Sequence, residues 1–335
     1  MESKNNDVLM ICQTPFHLWL VSKIIKVNEY KNIDILVLVN SNNAKIKYYI
    51  ELIESECSGV EVKYFFIKNN SNLDILFSLL KLNFFLSKLG SYTKIFAAGI
   101  NSLYVHKIIS KIKFDILETY DDGVANVFYD GVFYEDNIDI KRSFLRLFFN
   151  IRVDVGWIRN NTNLHYTIYK KLRNISKAIR YVGSVGSVGS VGSVGSVGSV
   201  GSVGSVGSVG SVRTFLLGQP YKEFGDHLEH KIKKICSNFK VDFYYPHPRE
   251  IVYNVPCEII SSQMIIEDYI ENFSKENPDI SIIVIGFISS ALLSINTPNL
   301  KKIALYDDFL YSKYSGIYSL FKESKIETMD INSFT

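Results

Sequence analysis

The sequence has 335 residues, 47% of them hydrophobic, with 37 basic against 34 acidic side chains and a formal net charge of +3. That apolar content supplies sizeable hydrophobic cores and excludes a disordered chain. Basic residues are spread along the sequence without a block that alternates with aromatics, so a nucleic-acid groove is excluded, while an anionic substrate or membrane surface stays compatible.

The N-terminal apolar run of MESKNNDVLMICQTP is too short for a signal h-region, and Gln13 and Pro15 end it, so a cytoplasmic protein is expected. In chain order, Asp7–Cys12, Ile33–Val39, Val60–Ile67, Lys94–Ala98 and Phe114–Thr119 are short Ile-, Val-, Leu- and Phe-rich runs that read as strands buried on both faces. Helical stretches separate them: Pro15–Lys26, Ala44–Glu54, Leu73–Lys88 and Ser102–Lys113. The longest apolar stretch, Ile75–Leu89, is interrupted by Lys81 and Lys88 and falls short of the ~20 residues that span a bilayer. Alternation of this kind predicts βαβ crossovers and a doubly wound sheet. Tyr129–Arg180 has no clear strand–helix rhythm, and its basic, aromatic part Lys141–Trp157 reads as a buried helix followed by a loop, with peripheral inner-membrane contact as the alternative.

From Val182 to Ser211 the tripeptide Val-Gly-Ser repeats ten times without deviation. Gly at every third position removes useful helix stability, and the absence of proline argues against a triple helix, so a linker is expected. The α/β rhythm then resumes with strands at Thr214–Leu217, Val241–Tyr245, Cys257–Ile260, Ser281–Ile285 and Lys301–Tyr306, and helices at Gly225–Asn238, Ile265–Phe273, Ser290–Ile295 and Phe309–Lys325. The organisation is therefore α/β with two Rossmann-like domains, residues 1–180 and 212–335, joined by the 182–211 linker. Cys12, Cys57, Cys236 and Cys257 show no CxxC spacing and read as buried, reduced thiols.

Three constellations fall just beyond the carboxyl ends of expected strands, where doubly wound sheets bind ligands. Tyr120-Asp121-Asp122-Gly123 offers paired carboxylates that suit metal binding, base chemistry or helix capping. His247 sits between Pro246 and Pro248, which restrain its backbone and suit a phosphate hydrogen bond or general-acid work. Gly286-Phe287-Ile288-Ser289-Ser290 runs from a strand into a helix start, an arrangement that binds phosphate or simply caps the helix. A fourth segment, Leu217-Gly218-Gln219-Pro220, reads equally as a nucleotide-facing turn and a plain connection. Asp226, His227, Glu229 and His230 lack the HExxH order and read as a solvated helix face rather than a metal site. Neither GxGxxG nor a Walker motif is present, which argues against dinucleotide dehydrogenases and P-loop kinases.

Together with Cys12-Gln13-Thr14-Pro15-Phe16-His17, these strings resemble the bacterial lipooligosaccharide sialyltransferase family in content and order, across nearly the whole chain outside the repeat. The resemblance implies a B-type glycosyltransferase fold with the active site in a cleft between an acceptor-side first domain and a nucleotide-sugar-binding second domain. It implies inverting, metal-independent transfer of sialic acid from a CMP donor to a terminal galactoside of lipooligosaccharide or capsule, with no cofactor. Under it, His247 assists departure of CMP and Ser289 and Ser290 bind the donor phosphate. Gly218, Gln219, Pro220, Pro248 and Phe287 line the donor pocket, and Thr14, Pro15, His17 and Asp121 lie on the acceptor side. The carboxylate that takes the acceptor proton is Asp226, or alternatively Asp122. The resemblance also admits a homodimer, a hexosyltransferase using a UDP-sugar, and a non-catalytic nucleotide- or glycan-binding relative.

Overall fold

The computed structural model describes residues 6–28, 30–40, 43–69, 71–134, 140–183, 211–219, 231–247, 250 and 254–334, and of residues 6 and 7 the backbone alone. The chain divides into two compact units, Met1–Ser193 and Val194–Thr335. Each is a parallel α/β sheet, as the alternation predicts.

The first unit runs β1 (Asn6–Cys12), α1 (Pro15–Asn28), β2 (Ile33–Val39), α2 (Ala44–Glu56), β3 (Val60–Phe66), α3 (Asn72–Leu86), β4 (Tyr92–Ala97), α4 (Leu103–Lys111) and β5 (Phe114–Tyr120). It continues through α5 (Ile140–Phe148), α6 (Val155–Asn161), β6 (Leu164–Thr167) and β7 (Ile179–Tyr181). The strand order is β3-β2-β1-β4-β5-β6-β7, every pair parallel. β2 is buried along its whole length, as its near-continuous apolar run requires. Its one acid, Asp34, is compensated by Lys63 Nζ at 2.7 Å and the Tyr92 hydroxyl at 2.5 Å. Leu9, Ile11, Leu36 and Ile95 belong to one buried core cluster, and burying each contributes ~1.5–3 kcal/mol.

β6 and β7 lie in the stretch without apparent rhythm. They are short and carry His165, Tyr166 and Arg180, so no apolar run announces them, and backbone pairing to β5 builds them onto the sheet. The Val182 N–H donates to the Thr167 carbonyl at 2.8 Å, so the first residue of the repeat belongs to this sheet edge. The buried helix expected at Lys141–Trp157 is corrected. None of the described α5 residues is buried, and Ile140 (83%), Phe144 (66%), Leu147 (82%) and Phe148 (63%) stand exposed.

The second unit contains β8 (Val212–Leu217), β9 (Phe243–Tyr245), β10 (Glu258–Ile259), β11 (Ser281–Gly286), β12 (Leu300–Tyr306) and β13 (Glu327–Asp330), in the order β10-β9-β8-β11-β12-β13. Described helices cover Ile232–Phe239, Ile266–Glu276, Ala291–Ser294, Asp308–Lys313 and Ser315–Glu323. The expected C-terminal helix is split at Tyr314, ahead of the weak helix formers Ser315 and Gly316, and its second piece is tied to β12 by the Tyr318 hydroxyl, which donates to Leu305 O at 2.8 Å. The chain then adds β13 to the sheet edge. Among the four thiols, Cys12 and Cys236 are buried while Cys57 and Cys257 are partly exposed, and none is disulfide-bonded. Among the described residues, no helix is long and apolar enough to cross a membrane.

Candidate active site

Strand order fixes where a ligand binds. In the first sheet β1 lies between β2 and β4, so consecutive crossovers leave to opposite sides and open a crevice at the carboxyl ends of β1 and β4. In the second sheet β8 lies between β9 and β11 and creates the same switch point. The described residues among those singled out in the sequence cluster at these two edges.

At the first edge, Thr14 precedes α1 and its Oγ1 accepts the His17 N–H at 3.2 Å, closing the helix start that Pro15 opens. His17 is buried within the first turn. Its Nδ1 accepts the Gln13 backbone N–H at 3.1 Å, which leaves Nε2 carrying the proton and donating to Asp122 Oδ1 at 2.6 Å. The Tyr120 ring meets His17 edge-on at 5.6 Å, and the Tyr120 hydroxyl is anchored on Ile11 O at 2.5 Å. The imidazole is thus held on three sides, and it in turn fixes the carboxylate oxygen it serves.

Asp121 and Asp122 are adjacent but differently placed. Asp122 keeps 27% of its side chain exposed, and its backbone N–H donates to Asn126 Oδ1 at 2.6 Å. Gly123 follows at φ +70, a left-handed turn that favours glycine. Asp121 has no exposure: Oδ1 accepts from His165 Nε2 at 2.9 Å and Asn174 Nδ2 at 3.2 Å, and Oδ2 accepts from Ile168 N at 2.7 Å. The expectation that Asp121 faces the acceptor is therefore corrected. It is a buried, fully bonded carboxylate that ties β5 to β6 beneath the site. Burial pushes the Cys12 thiol up to about 12, which leaves it inert beside this edge.

Gly99, at the end of β4, completes this edge. A Cβ built there would stand 2.2 Å from Gln13 Nε2 and 3.6 Å from Asp122 Oδ2. Gln13, Gly99 and Asp122 therefore pack together, and Gln13 Nε2 is buried without a hydrogen-bond partner. Gln13 and Gly99 were given no role from sequence; the β1–β4 pairing, which local pattern does not reveal, brings them to Asp122.

At the second edge the loops after β8 and β9 touch. The Gly218 N–H donates to Tyr245 O at 2.8 Å, and a Cβ on Gly218 would approach Glu250 Oε2 to 2.1 Å and the His247 nitrogen to 2.7 Å. Only glycine fits. Glu250 organises the turn: its Oε2 accepts the His247 N–H at 2.9 Å, its own N–H returns to His247 O at 3.0 Å, and Tyr244 OH donates to Oε1. Burial raises the Glu250 pKa, and the Tyr244 and His247 hydrogen bonds partly offset it. Its role in closing the turn was not evident from the motif, since it depends on the Tyr244 neighbour across the loop.

Gln219 is buried in the same turn. After β11, Ser289 Oγ accepts the Ala291 N–H at 3.3 Å, while Ser290 makes no side-chain cap bond. The helix expected from Ser290 is a single turn, Ala291–Ser294, so a macrodipole adds little and hydroxyls and backbone N–H groups are the donors left. Phe287 is 1% exposed and enclosed in the core, so the expectation that it lines the donor pocket is corrected to support of the turn from beneath. Pro220, Asp226, Pro248, and the His227, Glu229 and His230 segment lie outside the described residues.

The sequence model of glycosyltransferase family 52 matches residues 30–307. The chain is 26% identical over 329 residues to the CMP-N-acetylneuraminate:beta-galactoside alpha-2,3-sialyltransferase of Pasteurella multocida (strain Pm70), covering 96% of this chain and 99% of that one. It is 26% identical over 328 residues to the N-acetyllactosaminide alpha-2,3-sialyltransferase of Neisseria meningitidis, covering 95% and 84%. The N-acetyllactosaminide alpha-2,3-sialyltransferase of Haemophilus influenzae is 24% identical over 294 residues, covering 88% and 90%.

Proposed function

The chain belongs to glycosyltransferase family 52, and from that premise we propose that it is an inverting sialyltransferase that moves sialic acid from a CMP donor to a terminal galactoside of lipooligosaccharide or capsule. The name of the Pasteurella relative supports the CMP donor, and the names of all three relatives support a galactoside acceptor. The observation in this molecule that carries the reading is the contact of Gly218 with His247 and Glu250, a hydrogen-bonded, glycine-dependent approach at the switch point of the second sheet.

In this reading the acceptor hydroxyl attacks the anomeric carbon, and the bond from that carbon to the CMP phosphate oxygen breaks on the opposite face. The electron pair leaves with CMP. His247 hydrogen-bonds or protonates the departing phosphate, and Ser289, Ser290 and nearby backbone N–H groups neutralise it, which makes a metal unnecessary. Gly218, Gln219, Pro220 and Pro248 border the nucleotide. The acceptor proton passes to Asp226, on the resemblance. Asp122 is the second candidate, favoured by its partial exposure and its fixed His17 partner.

The exposed face of α5 extends the proposal to the membrane. It presents Ile140, Phe144, Leu147 and Phe148 with the exposed Lys141 beside them, a composition that suits an anionic lipid surface, while Arg142 and Arg146 turn inward to the Asn101 carbonyl and Asp154. A homodimer rests on the resemblance alone, and light scattering of the purified protein tests it.

The test of function is CMP release from CMP-sialic acid with lactose as acceptor, without added metal. His247→Ala is expected to lose most of the rate. Of Asp226→Asn and Asp122→Asn, the true base loses ~10²–10⁴-fold. Consumption of a UDP-sugar with CMP-sialic acid inert would replace the reading with hexosyl transfer.

A further inference from the structure

Beside Asp122 the first unit holds a cavity of about 500 Å³, which Gln13 and Thr14 border at the end of β1. It extends along the carboxyl edge past Asn40 and Asn69 and is closed by α3 and α5. This volume falls in the ~300–1,000 Å³ range of pockets for ligands larger than one hexose ring. Its polar lining combines the amides Gln13, Asn40, Asn69, Asn72 and Asn101 with two cations of α5, Lys141 and Arg142. An amide presents a donor and an acceptor at fixed spacing, which matches adjacent sugar hydroxyls better than a charge does. The Asn69 amide is held in place, its Oδ1 accepting the Tyr104 hydroxyl at 2.6 Å, and Arg142 donates to the backbone carbonyl of Asn101. Ile67, Ile75 and Leu145 supply apolar wall for the C–H faces of a pyranose.

Gln13 links this cavity to the chemistry, since its side chain packs against Gly99 together with Asp122. An acceptor whose terminal galactose sits beside Asp122 has its preceding sugars directed into the amide-lined cavity. We infer that this pocket is an acceptor subsite that reads the sugars preceding the terminal galactoside, so the enzyme selects oligosaccharides over a simple disaccharide. The inference rests on the sialyl-transfer reading above.

The test compares kcat/KM for a galactose-terminated tetrasaccharide with that for lactose, in the native protein, Asn40→Ala and Asn40→Trp. Asn40 is exposed and makes none of the hydrogen bonds that hold the fold, and lactose turnover by each preparation reports its folded state. The native enzyme is expected to prefer the tetrasaccharide. The ratio falls ~5-fold in Asn40→Ala, the weight of one hydrogen bond, and further in Asn40→Trp, which fills the cavity. A native ratio near one, or a ratio unchanged in both variants while lactose turns over, overturns this inference alone. Absence of CMP release with either acceptor overturns it together with the sialyl-transfer reading.

Discussion

His17 Nε2 lies 2.6 Å from Asp122 Oδ1 across 105 positions of sequence, and the Gln13 backbone N–H on Nδ1 fixes which nitrogen donates. His17→Ala removes that donor and leaves a partly buried carboxylate unsatisfied. Transfer to acceptor is expected to fall ~10-fold or more, which is about 1.4 kcal/mol. Hydrolysis of the donor in the absence of acceptor should change less, and His17→Gln should recover part of the loss. Steady-state kinetics of both reactions check this, and an equal fall in transfer and hydrolysis would remove His17 from the acceptor side.

Gly218 tests the second edge. In Gly218→Ala the new methyl would collide with Glu250 Oε2 and the His247 backbone, forcing the loops after β8 and β9 apart at a cost of ~1–3 kcal/mol. CMP affinity measured by calorimetry is expected to drop ~10-fold, with a lowered Tm. Gly156→Ala in α6 is the control: the nearest atom, Asp154 Oδ1, is 3.6 Å away, and the helix should tolerate or welcome the change. Equal CMP affinity in native and Gly218→Ala proteins would contradict the proposed nucleotide site.

His106 gives the fold an acid-sensitive point beneath the Gly99 turn. Its Nε2 sits 2.6 Å from Ile100 O. Burial first, with Arg142 and Arg146 adding to it, lowers its pKa from 6.5 to about 4. The unfolded chain therefore binds this proton more readily than the folded one. The contribution is complete above pH 6.5 and is lost as pH falls toward 4, reaching an order of ~3 kcal/mol. Chemical denaturation across that window should show a steeper acid loss in the native protein than in His106→Gln. Parallel curves would show that His106 does not carry the slope.

The α5 face makes a prediction about lipid. Phe144→Ser combined with Leu147→Ser is expected to weaken sedimentation with anionic phospholipid vesicles at least ~10-fold, since each side chain would bury substantial apolar area in the interface. Because both residues are exposed, Tm should hardly move. Unchanged vesicle binding would assign the face to something other than membrane.

Local sequence by itself determined much of this protein. Apolar runs marked β1 through β5 and the second-unit strands β8, β9, β11 and β12. Of these, β2 is buried on both faces as expected. By contrast β3, expected to be so, is an edge strand that exposes Tyr64 and Phe66, because no described strand covers its outer side. Asp-Asp-Gly, His-Pro and Ser-Ser stood at strand ends because glycine, proline and small polar residues punctuate the turns where such sheets bind ligands. Tertiary structure decided the rest. Asp121 and Asp122 are chemically identical neighbours, and only the packing of β6 makes one a buried tie and the other a partly exposed carboxylate. The pairing of β1 with β4 brings Gln13 and Gly99 to Asp122, and the meeting of the β8 and β9 loops makes Gly218 indispensable and gives Glu250 its role. The short strands β6, β7 and β13 exist through backbone bonds to a neighbour rather than through any run of their own. Periodicity records which face of an element is apolar. It does not record what that face meets, and the functional edges of both sheets are made of such meetings.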